Sequence, residues 1–269
     1  MPMITIKNLV EQILQYIESN PGETMNEGFE NIYAKVNEMM IHMDFIRQNV
    51  CTRMLDNITL IDKSRLDQWQ SQIINNARKY GQRFLNCSTN IIDSLDYLMP
   101  NNLTILLTPR VNDDIFHSIL KYLQPRAAKL YIYGKQSEYS SLVDNDMLLQ
   151  VSFIDELHKV GNILDSIDLT IFFPEIYDEC GSMLLSKPTA QVYSLTENYE
   201  NDIFIICESF RFYKLVMGED LKGHIAKRRD SSELLSKFEI RSARDNSIVV
   251  CETDNFPSFS SYYSLSEMQ

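Results

Sequence analysis

The stretch Asp202-Ile-Phe-Ile-Ile-Cys-Glu-Ser-Phe-Arg-Phe-Tyr-Lys-Leu215 decides the fold class. Ile203, Phe204, Ile205 and Ile206 form an apolar run without alternation, opened by Asp202. A strand with one wet face alternates, whereas one covered on both faces, as in a parallel sheet, does not. The run then leaves through Glu208, Ser209, Phe210, Arg211 and Phe212, a mixture that a simple core strand does not need.

Working outward, similar short runs recur between helical patterns. Leu103 to Thr108, Lys129 to Tyr133, Leu148 to Phe153, Asp168 to Phe173 and Ser247 to Cys251 predict strands. Helices are expected over 113–123, 155–164 and 188–195, with Pro188 suited to a first turn. Strands alternating with helices imply right-handed crossovers and a mostly parallel sheet. Residues 101–269 therefore predict a Rossmann-like α/β domain.

Residues 1–100 predict a helical N-terminal subdomain. Ile6, Leu9, Val10, Ile13, Leu14 and Ile17 share one helix face, which Pro21-Gly22 ends. Thr24-x-x-Glu27 has the form of a capping box. The stripe continues through Phe29, Ile32, Tyr33, Val36, Met39, Met40, Met43 and Ile46. A third helical region runs from Ser64 through Trp69, Ile73, Ala77, Tyr80 and Phe84 to Leu98, with a break placed near Gly81.

Composition excludes several function classes. The 269 residues carry 25 basic and 37 acidic side chains, a formal net charge of −12. Direct nucleic-acid binding needs a concentrated positive field. The one basic run, Lys227-Arg228-Arg229, meets Asp230 at once and reads as a solvated loop. The five cysteines form no C-x-x-C pair and the four histidines no H-E-x-x-H, so neither metal nor disulfide framework is expected. No cofactor is expected either. Met1 to Asn20 lacks a signal-peptide pattern, and no apolar run approaches membrane-spanning length, which predicts a cytoplasmic, soluble chain with no membrane partner.

Ligands of open α/β sheets bind beyond the carboxyl ends of the strands. That gathers 108–112, 134–135, 175–182 and 208–211, a set of acids, bases and hydroxyls suited to a phosphate or sugar. Glycine supply argues against a backbone phosphate cradle: there are eight glycines and no G-x-G-x-x-G. Gly218-x-x-x-x-Gly223 continues into His224-Ile225, without the Lys-Ser/Thr of a phosphate loop, and reads as an ordinary loop. Ser209 lacks a G-x-S-x-G context and an assignable His partner, so no residue is expected to be catalytic.

Ile206-Cys-Glu-Ser-Phe-Arg-Phe212 resembles the "(V/I)-x-E-S-F-K-F" signature of the regulatory subunits of translation initiation factor 2B, a superfamily that includes sugar-phosphate isomerases. Ile167 to Glu175 resembles the family's "A-D-L-V-I-V-G-A-E" strand, with Glu175 on its acidic position. Ile176 to Thr189 aligns with "G-V-x-x-N-G-G-I-I-N-K-I-G-T", retaining Gly181 and Thr189. Glu23-Thr24-Met25 resembles a helix start of the alpha subunit. The resemblance maps a vestigial sugar-phosphate pocket onto Thr108, Glu175, Gly181, Thr189, Glu208 and Ser209. It implies that Phe210, Arg211, Phe212 and Tyr213 serve as core or interface anchors.

The departures matter. The isomerase branch has a catalytic Cys after the first strand and an Asp after the later Gly-Ala. Here the first loop has no Cys, the acid is Glu175, and Asn-Lys-Ile-Gly has become Leu185-Ser186-Lys187-Pro188. A proton-transfer pair cannot work with one partner absent. The resemblance implies a non-catalytic, alpha-type subunit of the guanine-nucleotide exchange factor for translation initiation factor 2. Its expected partners are a second copy, the related beta and delta subunits, and the phosphorylated alpha subunit of factor 2. A diverged ribose- or methylthioribose-phosphate isomerase is the alternative, and a beta or delta subunit a further one.

Overall fold

A computed structural model describes residues 6–20, 22–41, 43–110, 114–139, 151–213 and 220–260. The chain divides into two compact units, Met1–Asn86 and Cys87–Gln269.

The first unit is helical: α1 (Ile6–Ser19), α2 (Met25–Met40), α3 (Phe45–Ile58), a 3-10 turn (Lys63–Gln68) and α4 (Trp69–Leu85). The face of α1 bearing Leu9, Val10, Ile13 and Ile17 is buried. Thr24 caps α2, its Oγ1 accepting from Glu27 N at 3.2 Å. Glu27 Oε2 accepts in return from Glu23 N (3.0 Å), one residue before the cap. The single long stripe expected from Phe29 to Ile46 is two helices. Asp44 interrupts it as the N-cap of α3, accepting from Arg47 N at 2.9 Å. Helix α3 buries residues on every side, from Phe45 and Val50 to Met54 and Ile58, so it lacks the one-sided period that marks a surface helix. The break expected near Gly81 falls instead at Asn86. Gly81 lies inside α4, where a Cβ would sit 2.5 Å from Leu14 Cδ1 of α1.

The second unit opens with α5 (Cys87–Leu98), which packs on the elements that follow it and is not part of the N-terminal helical unit. Then come β1 (Thr104–Thr108), α6 (Asp114–Leu123), β2 (Lys129–Tyr133), α7 (Gln136–Tyr139), β3 (Val151–Ile154) and α8 (Leu157–Gly161). They are followed by β4 (Leu169–Phe172), β5 (Ile176–Asp178), β6 (Ser182–Ser186), α9 (Lys187–Thr196) and β7 (Asp202–Ile206). The last are β8 (Phe212–Tyr213), α10 (Leu221–Ala226), α11 (Ser231–Lys237), β9 (Phe238–Ser242), β10 (Ile248–Val250) and β11 (Asn255–Pro257). The expected start of the third strand at Leu148, and Gly218, lie outside the described residues. Gly223 is helical, beneath an Asp220 cap, where a loop was expected.

Among the described residues the main sheet has seven strands in the order β11-β10-β7-β4-β1-β2-β3. Every neighbouring pair is parallel except β10–β11. The chain winds outward from β1 through β2 to β3, returns, and winds the other way from β4 through β7 to β10. The direction reverses between β1 and β4, the switch point of a doubly wound sheet. Strand β4 is buried throughout and β7 after its first residue, as the unbroken apolar runs require.

A second sheet, β8-β5-β6-β9, was not anticipated. Its β5 and β8 are three and two residues long, too short for a visible period, and β9 carries Glu239 and Arg241. The two sheets share one core, in which Leu106, Phe172 and Ile205 meet Tyr177, Met183, Leu185 and Phe212. Phe172 packs edge-on against Tyr193 of α9, ring centroids 5.0 Å apart. Gly181 turns the β5–β6 hairpin with φ +79°, a backbone conformation that glycine adopts without penalty.

Candidate functional site

Four residues lie two positions beyond the carboxyl ends of adjacent strands: Arg110 after β1, Pro174 after β4, Glu208 after β7 and Glu252 after β10. They converge at the switch point. Arg110 Nη1 donates to Pro174 O (2.8 Å). Its Nη2 donates to both Glu208 oxygens, each at 2.9 Å. Arg211 Nε donates to Glu208 Oε1 (3.0 Å) and its Nη1 to Glu175 Oε2 (3.2 Å). The result is an alternating chain of charges, Arg110–Glu208–Arg211–Glu175.

The chain is dry at its centre. The Arg110 and Glu208 side chains are 4% and 2% exposed, and Arg211 and Glu175 are 8% and 20% exposed. Burial by itself pushes the Glu208 carboxyl pKa up, but the two guanidiniums overcome it and hold the group below the usual carboxylate range. Isolated buried charges are costly, so the network is neutral by construction: two cations alternate with two anions. Phe173 and Phe210 lie within 5.9 Å and 5.7 Å of the Arg110 and Arg211 guanidinium carbons.

Beside the network, Ser209 donates its N–H to Glu252 Oε2 at 2.9 Å and its hydroxyl to Glu252 Oε1. Ser209 is buried and its hydroxyl is held by the Glu252 carboxylate, with no imidazole in that contact. Cys207 is fully buried and burial drives its thiol pKa well up; burial also takes Cys251 to about 11. Both behave as small hydrophobes rather than thiolates.

Of the six pocket residues expected from sequence, Thr108, Glu175, Glu208 and Ser209 come to this end of the sheet. Thr108 is spent internally, its Oγ1 donating to Ile171 O at 3.1 Å. Gly181 and Thr189 belong to other constructions, the β5–β6 turn and the first turn of α9. There Ser186 Oγ accepts from Thr189 N and donates to Thr189 Oγ1 at 2.9 Å.

The expected interface run is buried at its first three positions. Phe210, Arg211 and Phe212 are 5%, 7% and 2% exposed, and Phe212 packs against Tyr177 and Phe256. These rings and the guanidinium serve as core anchors, and only Tyr213 remains half-buried, 5.0 Å from the His224 ring. Sequence reasoning placed Arg110 in the 108–112 loop without singling it out, and missed Glu252. Their shared position, two residues past a strand end, was the available signal. Among the described residues no cluster of His, Cys, Asp and Glu could hold a metal ion, and no helix is long and apolar enough to cross a membrane.

No protein-family model matches the sequence, and no curated protein matches it significantly. The fold does match solved structures. A chain of the tetrameric eIF2B-beta2-delta2 complex from C. thermophilum superimposes with a TM-score of 0.76 at 8% identity, covering 99% of this chain and 90% of that one. eIF2B beta from Chaetomium thermophilum gives 0.72 at 10% identity, over 94% and 80% of the two chains. Translation initiation factor eIF-2B from Pyrococcus horikoshii OT3 gives 0.62 at 12% identity, over 94% and 90%. Helices first and a mostly parallel sheet after them, the chain has the fold of these initiation-factor 2B proteins along nearly its whole length.

Proposed function

We propose that the chain is a non-catalytic regulatory subunit of the guanine-nucleotide exchange factor for translation initiation factor 2, working in the cytoplasm. The observation that carries this reading is the filled switch point. Where an α/β enzyme of this topology opens a crevice for its substrate, this chain places its own Arg110–Glu208–Arg211–Glu175 network. A scaffold that keeps the sheet and fills the ligand position with internal ion pairs supports assembly rather than turnover. Shared architecture with eIF2B subunits makes that assembly the natural context.

In this role the chain pairs with a second copy and docks with the related beta and delta subunits. The helical unit contributes to recognition of the phosphorylated alpha subunit of factor 2. The alpha type is favoured by Glu23-Thr24-Met25 at the start of α2, where Thr24 is the helix cap.

Affinity purification from the source cell, with identification of co-purifying proteins, tests the reading. Recovery of other subunits of the exchange factor is expected, and recovery without any initiation-factor component overturns it. Incubation with ribose or methylthioribose phosphates tests the non-catalytic part. Turnover that disappears on Glu175→Gln would return the chain to the isomerases.

A further inference from the structure

The basic run Lys227-Arg228-Arg229 leads to a serine two residues on. It forms the turn between α10 and α11, where Lys227 caps the first helix and Asp230 precedes the second. Arg228 is engaged: its Nε and Nη2 donate to Asp230 Oδ1 and Oδ2 at 2.8 and 3.2 Å. Arg229 is exposed. Ser231 opens α11 and is half-buried. Its N–H donates to Arg228 O at 3.3 Å, and its hydroxyl is bonded to no group among the described residues.

We propose that Ser231 is a phosphorylation site for an arginine-directed serine/threonine kinase. Such a kinase uses its own carboxylates to hold cations two and three residues before the acceptor hydroxyl, and it rejects acids there. Arg228 and Arg229 occupy those two places relative to Ser231. Ser232 has Asp230 at one of them, and Ser247, which follows Arg244 by three, is fully buried. To enter a kinase cleft in extended form the acceptor must leave its helix. Helix α11 permits this: it has seven residues, of which only Leu234 is buried, and so short a helix is marginal in water. Opening it costs little beside opening the sheet core.

In the transfer, Ser231 Oγ forms a bond to the γ-phosphorus of ATP while the bond from that phosphorus to the bridging oxygen breaks. The hydroxyl proton passes to a carboxylate of the kinase, and ADP leaves with the electron pair of the broken bond. The product carries about two negative charges. Lys227, Arg228 and Arg229 outnumber Asp230 and Glu233 beforehand, and the phosphate reverses that balance. Its oxygens then compete with Asp230 for the Arg228 guanidinium.

The test is incubation of the folded full chain with ATP and the catalytic subunit of cAMP-dependent protein kinase, the modified residue being mapped by mass spectrometry. A phosphoryl group on Ser231 is expected. Ser231→Ala should abolish it, Ser232→Ala should leave it, and Arg228→Ala and Arg229→Ala should each slow it at least about tenfold. A synthetic peptide spanning 224–236 separates recognition from access. Modification of the peptide but not of the folded chain overturns the site, because α11 then fails to open. Modification of neither, phosphate only on other residues, or a rate indifferent to both arginines overturns it as well.

Discussion

Replacing Glu208 by Gln tests whether the ion-pair network holds the switch point together. The substitution keeps the shape and removes the one charge that Arg110 and Arg211 both face. Breaking a buried ion pair from one side costs about 3 kcal/mol or more, because a cation is left in a dry site. Hydrogen exchange of the amides in β7 and the turn after it reads this locally. About 3 kcal/mol corresponds to roughly a 150-fold rise in the opening equilibrium at neutral pH. The pH dependence supplies an internal control. Glu208 has its folded pKa held below its unfolded value, so its contribution is present above the unfolded value, about 4.3, and is lost as pH falls through the folded one. The gap between wild type and Glu208→Gln should therefore be full at pH 7 and narrow in acid. A variant within about 1 kcal/mol of wild type at pH 7, or a gap that persists unchanged in acid, would refute the burial and pairing described.

Further outcomes follow from single contacts. Tyr193→Phe removes a hydroxyl that donates to Ser242 O and accepts from Arg244 N; urea unfolding should show a loss of about 1–3 kcal/mol. Gly181→Ala should cost about 1–2 kcal/mol in the same assay. That loss comes from the positive φ and not from a clash, since a Cβ there meets nothing closer than 3.6 Å. Of the five cysteines only Cys180 is exposed. A thiol-reactive dye should titrate one group in the native protein and five after unfolding, and fast reaction of a second native thiol would contradict the packing of Cys51, Cys87, Cys207 and Cys251.

What was legible in the sequence follows from how each segment is buried. Strands β1, β4 and β7 announce themselves because both faces are covered and every position is apolar or nearly so. Helix α1 does so because one face is wet. Helix α3 escaped as a separate element because it is buried all round, and only the Asp44 cap betrays its start. The small sheet escaped because pairing with distant partners, not local pattern, makes its strands. At the switch point Glu175, Glu208 and Ser209 could be found from their place after strands. Their partners could not be assigned, since the Arg110–Glu208 contact spans 98 residues and the Ser209–Glu252 contact 43.

That spacing has a consequence for synthesis. Ribosomes add about 5–20 residues each second, so Arg110 waits roughly 5–20 s before Glu208 exists. For the first part of that interval, until Phe172 is added, the nascent β1 carries a fixed positive charge at the end of an apolar strand whose neighbour β4 is also not yet made. The centre of the sheet is completed late, from pieces made far apart in time, and residues 1–86 are synthesised before any of those strands. The charge of Arg110 keeps the waiting strand end hydrated until the partner that will dehydrate it arrives.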